Sequence, residues 1–530
     1  MVEIGFLLGI FSYIVFGLGL LGKLEWLRGV GTLGGLGIFL VLIYLIWKKR
    51  NKFLGELEIL KEDKINIFLI GILLISALVN FIGVLGPELG FDALWYHLTI
   101  PKIYLQWKKI FFLPGSLFYY SSMPKLTEMF YLVSLAFSPN GTLAKTIHFS
   151  FGLLSAIALY RLSRRYLKTK ESLLTVLIFY TTLVVGWQSI TAYVDLARTF
   201  FEILALDLFL QWYEKNQKDQ RDKMLLIESA IMLGLAISTK LIAFASLAVF
   251  LILILLNTKK IKFALYYLLF AVLVPLPWFV FAFIHTGNPI YPIFSGILDQ
   301  SHQIMTFNLI RVVRDFWKLF YHPQDFISPV FLIFLPIVIL KIVKGELKGK
   351  IQLLWEYVLL TLFFWYFTPR TGGSRFVLPY LPALSLLIVG VVSEAGKFFQ
   401  KLLILTAIAS AVVNVGYRAF ANKKFIPVIL GRESRDVFLS KKLNFQNGDF
   451  FDVNGDLQKI IRKDDLVLVC GFHNLFYADF SFVEITYAPD HLPVSYILVK
   501  KEQCSGKIAL GSLVYRNNQT GVELYLAPPR

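Results

Sequence analysis

Residues 65–85 read INIFLIGILLISALVNFIGVL, an apolar run without one charged side chain. A bilayer core of about 30 Å takes roughly 20 such residues as a helix, so the stretch reads as a membrane span. Before it the chain is crowded with Lys48, Lys49, Arg50, Lys52, Lys61 and Lys64. After it comes GPELGFDALWYHLTIPK (86–102), where carboxylates, a histidine and a lysine sit among aromatics. Basic loops stay on the cytoplasmic side, which predicts an inner face before this span and an outer face after it.

Similar runs lie near 3–21, 29–47, 141–160, 171–190, 195–213, 224–239, 241–257, 263–284, 326–343, 351–368, 375–393 and 402–420, about thirteen spans in all. The first has no small-residue cleavage site behind it and reads as a retained helix. A chain that starts inside and crosses thirteen times puts Arg161, Arg164, Arg165, Lys168 and Lys170 on the inner face, with the basic loops 215–223, 259–262, 341–350 and 397–401. Residues 124–138 are apolar but short. Counting them as a span would move the 161–170 cluster outside, so they read as an interfacial or re-entrant helix within the outer loop 86–140. The outer face then receives 86–140, the 191–195 turn, the 285–325 loop, the 369–375 turn and the C-terminal segment. Function is expected there.

Composition agrees. The chain has 530 residues, 57% of them hydrophobic and 17% charged, against about 45–50% and about 25% in soluble domains. Its 53 Lys and Arg against 35 Asp and Glu give a net charge of +18. Nucleic-acid binders are basic and charge-rich; this chain is basic and charge-poor, so no nucleic-acid partner is expected. The fold class is mainly α, a polytopic transmembrane helical protein of residues 1–421. A small extracytoplasmic α/β or mixed domain follows at 422–530, where hydropathy falls and strand-like stretches appear at 465–471, 480–488, 495–500, 511–515 and 522–527. About 109 residues suffice for a separate core. Both cysteines, Cys470 and Cys504, lie there, either bridged or as two buried thiols.

A carboxylate beside hydrocarbon is costly and asks for a function. Asp92 and Glu88 stand at the mouth of the third span with His97 and Lys102 following. For these the plain alternative is a helix cap with Trp95 and Tyr96 as membrane anchors. Asp195 opens the sixth span with Arg198 three residues on, an i, i+3 ion pair being the simpler account; Glu202 and Asp207 lie deeper and suit a proton or cation path. Lys240 sits between the seventh and eighth spans, either functional or snorkelling. Arg370 and Arg375 flank a Gly-Gly turn, suited to a phosphate or to interfacial anchoring. Neither GxxxxGK[ST] nor HExxH nor a serine nucleophile elbow is present. Outer carboxylates and cations without a nucleotide site point to chemistry on a lipid-linked phosphate.

FDALWYHL (91–98), AYVDLARTFF (192–201), GLAISTKLIA (234–243), TGNPIYPIF (286–294) and RFVLPYLP (375–382) together resemble the polytopic GT-C glycosyltransferases, near the prokaryotic protein O-mannosyltransferase and aminoarabinose transferase families. The resemblance implies transfer of a sugar from a polyprenyl-phosphate donor to an acceptor hydroxyl on a glycan, lipid or protein, at the outer face of the cell membrane. It implies Asp92 as base, Asp195 as the second acidic position, and Lys240 and Arg375 as the donor-phosphate clamp, with Arg370, His97 and Lys102 as further candidates. An adjacent Asp-Glu pair is replaced here by Asp92-Ala93, which leaves Glu88 or His97 as supporting groups. A base and a stabilised leaving phosphate are what displacement at an anomeric carbon needs, and one displacement inverts. No cofactor is assigned; a divalent metal ion on Asp92, Asp195 and Glu88 stays open as the alternative to Lys and Arg.

The main rival is a transporter or flippase of lipid-linked or polar solutes. Against it, no inverted repeat is visible and the charges gather on one face. A binding module on a membrane anchor ranks last, since anchoring needs far fewer spans.

Overall fold

The computed structural model describes residues 1–48, 50, 55, 58, 63–217, 223–295, 308–321, 326–367, 370–443, 450–489, 492–500, 504 and 509–528. Up to residue 422 it is almost entirely helical. Every apolar run named above forms a helix or a broken pair of helices, from Val2–Leu20, Leu27–Lys48 and Lys64–Leu85 to Lys397–Asn422. Leu74, Leu78, Leu269 and Phe420 stand exposed on the outside of the bundle, an apolar surface that suits lipid and not water.

By length and composition, six helices among the described residues are apolar enough to cross a membrane, or seven if one bent pair is a single span. Part of the difference from thirteen comes from helix breaks and short helices, and part from two long helices, Asp195–Gln217 and Gly349–Phe367, that carry more polar and charged residues. The 171–190 run divides into Thr169–Tyr180 and Leu183–Gln188. The 263–284 run bends by 64° between Ile261–Leu273 and Leu276–Thr286, where Pro275 and Pro277 supply no N–H for the helical ladder. Lys223–Thr239 and Pro329–Val343 have 17 and 15 residues, below the roughly 20 of a typical crossing.

Residues 124–138 differ from one of their two readings. The helix Leu126–Phe137 is buried at all ten residues from Leu126 to Leu135, wedged against Val2–Leu20, Thr99–Trp107 and Thr142–Ser163. An interfacial helix keeps a polar face in water. This one has no such face and belongs to the wall of the molecule.

The tail forms a five-stranded mixed sheet in the order β2-β1-β3-β5-β4, with β1 (Leu466–Cys470), β2 (Ser481–Glu484), β3 (Tyr496–Lys500), β4 (Leu513–Asn517) and β5 (Val522–Leu526). β1 pairs in parallel with β2 and β3; β5 runs antiparallel to β3 and β4. Cys470 and Cys504 are joined as a disulfide. The tail shares most of its core. Val467, Phe476 and Phe482 bury in one cluster with Leu94, Ile100 and Tyr104 of the first outer loop. Lys102 Nζ donates to Phe476 O at 2.9 Å and also to Ala478 O. Gln106 Nε2 donates to Phe482 O at 3.0 Å, and Tyr477 Oη to Glu88 O at 2.9 Å. Loop and sheet therefore form one layer over the end of the helical bundle.

Candidate functional site

Helix Lys64–Leu85 stops at Gly86, and the chain turns through Glu88 into a single π-helical turn, Ala93–His97. Its wide bond runs from Leu98 N to Ala93 O at 2.9 Å. Such turns interrupt the regular side-chain spacing, and here Phe91, Asp92, Trp95, Tyr96 and His97 all reach one cavity of about 490 Å³. The other walls come from Tyr119, Tyr120, Met123–Lys125, Glu128, Val194, Thr239–Ile242, Arg375 and Phe376.

Four of the charged candidates converge. Arg375 Nη1 donates to Asp92 Oδ2 at 2.6 Å, and its Nε lies 3.9 Å from Asp195 Oδ2. Lys240 Nζ donates to Asp195 Oδ1 at 2.7 Å. Asp195 is the first residue of helix Asp195–Gln217, where a carboxylate is favoured by the helix dipole. Lys240 holds extended backbone between helix Lys223–Thr239 and the turn Leu241–Ala243, so its side chain leaves sideways toward Asp195 and lies 5.1 Å from the Phe376 ring. It does not snorkel. Burial pulls Lys240 down to about 8, against the opposing pull of Asp195. Burial pushes Asp92 up, but the positive charges around it, Arg375 first, hold its carboxyl below the usual range.

Aromatic hydroxyls complete this end. Tyr96 Oη donates to Asp92 Oδ2 at 3.1 Å, and Tyr193 Oη accepts from Asp92 N at 3.2 Å. The Tyr193 ring lies 5.0 Å from the Arg375 guanidinium. Tyr96 therefore acts on the carboxylate and is no simple membrane anchor.

The remaining candidates go elsewhere. Glu88 is buried, with Oε1 accepting from Leu89 N and Gly90 N at 2.8 and 2.6 Å and Oε2 from Ala192 N at 2.6 Å. It ties the first outer loop to the 191–195 turn. Gly90 is required there, because a Cβ would stand 2.9 Å from the Tyr193 ring and 3.0 Å from Glu88 Oε1. Lys102 faces the sheet through its two carbonyl bonds, and burial lowers it to about 8. His97 lines the cavity but pairs with Glu128. The Arg370 side chain lies outside the described residues. Arg198 pairs with Glu202 at 2.6 Å and not with Asp195; Ser246 Oγ donates to the second Glu202 oxygen at 2.8 Å. Asp207 pairs with Arg165 at 2.7 Å. Glu202 and Asp207, deeper along this helix, are thus each paired within the protein.

Lys125 and Glu128 on the cavity wall escaped the sequence reading. Lys125 Nζ is held by the carbonyls of Tyr120 and Met123. An acid and a base within the otherwise apolar 124–138 run were the available signal.

Among the described residues, no three His, Cys, Asp or Glu side chains converge as a metal site. Asp92 and Asp195 meet on Arg375, and Glu88 is spent on backbone N–H groups, so the proposed ligand set does not fit a divalent ion.

Over residues 129–281 the sequence matches the family described as dolichyl-phosphate-mannose-protein mannosyltransferase. The match covers less than a third of the chain, including Asp195 and Lys240 but not Asp92 or Arg375. No curated protein matches the chain in sequence. The fold is similar to that of ArnT from Cupriavidus metallidurans. The structure bound to undecaprenyl phosphate is 11% identical, covering 87% of this chain and 99% of that one with a TM-score of 0.58. The apo structure is 12% identical over the same shares, with a TM-score of 0.54. The shared feature is the fold, which is like that of ArnT along most of both chains.

Proposed function

We propose that this chain is an integral membrane glycosyltransferase. It moves a sugar from a polyprenyl-phosphate donor to an acceptor hydroxyl at the outer face of the cell membrane, with inversion. The observation that carries this reading is the sharing of Arg375 by Asp92 and Asp195, with Lys240 beside them, in a cavity large enough for a sugar phosphate. The ArnT relative with the same fold is bound to undecaprenyl phosphate. An apolar groove of about 500 Å³ lined by Phe6, Ile10, Tyr13, Leu235 and Val274 supplies a surface for a lipid chain. Leu235 is one helical turn from Thr239, which lines the polar cavity.

In the resting site Arg375 neutralises Asp92. The donor phosphate draws the guanidinium to itself, in the bidentate geometry that Arg offers phosphates, while Lys240 supplies a second cation. Asp92 Oδ2 is then free to accept the proton of the acceptor hydroxyl. The acceptor oxygen bonds to the anomeric carbon as the bond from that carbon to the phosphate oxygen breaks. The electron pair leaves with the polyprenyl phosphate, whose charge Arg375 and Lys240 stabilise. A single displacement inverts the anomeric carbon. No step is routed through a metal.

For topology we propose thirteen crossings with the N-terminus inside, residues 1–421 as the membrane domain and 422–530 outside. The basic loops support this orientation, and a disulfide in the tail suits the oxidising side. The pairing of Glu202 and Asp207 within the protein weighs against a transport path. The test is reconstitution with radiolabelled polyprenyl-phosphate sugars: release of polyprenyl phosphate with a covalent glycosyl product is expected, and solute uptake without covalent product would overturn the reading.

A further inference from the structure

The cavity wall carries two charged groupings. Lys240 and Arg375 make one of them. In the second, His97 Nδ1 lies 2.8 Å from Glu128 Oε1, and the two side chains are only 2% and 4% exposed. Both belong to the cavity wall. His97 Nε2 and Glu128 Oε2 have no hydrogen-bond partner among the described residues. Buried polar atoms are almost always paired, so one unpaired atom on each of two bonded side chains of a cavity wall marks a place with bonding capacity left for what enters.

Both groups are held fast. His97 closes the π-helical turn that carries Asp92. Glu128 sits in the first turn of helix Leu126–Phe137, which is packed on every side. The Tyr96 ring lies 4.2 Å from the His97 ring and stacks on Tyr120 at 3.7 Å, giving a flat apolar wall beside a polar corner. Here a carboxylate lies 2.8 Å from the imidazole with the Lys125 ammonium on the same wall, a mixed set of donors and acceptors unlike the two cations at Lys240 and Arg375. A neutral polyol fits it: Glu128 accepts from a hydroxyl, and the His97 ring nitrogen donates or accepts according to its tautomer. Asp92 links the two groupings: its Oδ2 accepts from Arg375 and from Tyr96, whose ring lies 4.2 Å from the His97 ring. A base so linked suits a donor with its phosphate at the cations and its sugar ring at His97.

We propose that His97 and Glu128 form the corner that reads the hydroxyl groups of the transferred sugar and so sets which sugar is moved. This rests on the reading of the chain as a polyprenyl-phosphate-sugar transferase. A site built to bond a hydroxyl discriminates strongly against the analogue lacking it, because its own buried groups are then left unpaired.

The full-length protein in lipid nanodiscs is titrated with a short polyprenyl phosphate and with its mannosyl, glucosyl and galactosyl esters. Wild type is expected to bind one ester in preference to the others. Glu128→Gln is expected to weaken that ester by roughly tenfold to a hundredfold, while the affinity for sugar-free polyprenyl phosphate stays unchanged. Equal weakening of both ligands, or of neither, overturns the sugar-reading corner. Failure of wild type to bind polyprenyl phosphate at all overturns instead the transferase reading beneath it. Should the variant not fold, wild type is titrated with deoxy esters of the preferred sugar: at least one hydroxyl deletion is expected to cost about tenfold or more, and tolerance of every deletion overturns the proposal.

Discussion

Arg375 Nη1 lies 2.6 Å from Asp92 Oδ2 across 283 residues of chain, and the same guanidinium faces Asp195 at 3.9 Å. One cation thus serves carboxylates from two separate elements. An anion that recruits Arg375 would release a carboxylate in the same movement, and in the proposed transferase this couples donor binding to the readiness of the base.

Asp92→Asn keeps the shape of the site and removes its proposed proton acceptor. Transfer should fall by roughly 10²–10⁴-fold, the usual worth of a positioned base, while polyprenyl phosphate still binds, since Arg375 loses a competitor. Single-turnover transfer and direct lipid binding separate the two effects. Near-normal turnover would remove Asp92 from the base role.

The pH profile tests the Arg375 contact. In wild type Asp92 is held below the usual carboxylate range, so it stays ionised at neutral pH and activity is lost only as pH falls through that lowered value. Arg375→Gln removes the main opposing charge and leaves burial, which favours the protonated acid. Donor binding should weaken, and the acid limb of the kcat/KM profile should move to higher pH. An acid limb that does not move means that another group titrates there.

Lys240→Met leaves Asp195, which is fully buried, without its nearest cation. Removing one partner of a buried pair costs about 3–5 kcal/mol; the 18% exposure of the Lys240 side chain places this case at the lower end. Thermal unfolding in detergent should show the loss, and Asp195→Asn in the same chain should recover part of it. An unchanged unfolding temperature for Lys240→Met would mean that the pair carries no such strain on removal.

These four charges were visible in the sequence because a charged side chain at the edge of an apolar run is conspicuous. Their mutual pairing was not, since Asp195 looked one turn ahead to Arg198 and found its partners at 240 and 375. Glu88 and Lys102 stood out for the same reason as Asp92, yet they bond to main-chain groups, which every residue carries and no pattern marks. Glu128 is explained only by His97, 31 residues earlier. The strands of the tail were legible from alternation within each segment. The core it shares with the first outer loop was not, because contacts such as Lys102 with Phe476, 374 residues apart, leave no local signature.

Glu88→Gln distinguishes a structural tie from chemistry. The carboxylate accepts three backbone N–H bonds on two oxygens; an amide offers one oxygen and turns an N–H₂ toward a donor. Stability should fall by about 1–3 kcal/mol, while kcat of the folded fraction stays near wild type. A stable variant with kcat reduced a hundredfold would return Glu88 to the reacting groups.

The Cys470–Cys504 bridge tests sidedness as well as stability. It closes a separation of 34 residues, and a loop of that size is worth about 2–4 kcal/mol when bridged. Cys470→Ser should lower the unfolding temperature of the protein, and the sheet next to β1 should lose its protection from proteolysis first. In intact cells, a membrane-impermeant maleimide should label neither cysteine until a reductant is added, and both afterwards. Labelling without reductant removes the bridge. Protection that persists after an impermeant reductant, but ends once the membrane is opened, puts the tail on the inner face and reverses the proposed topology.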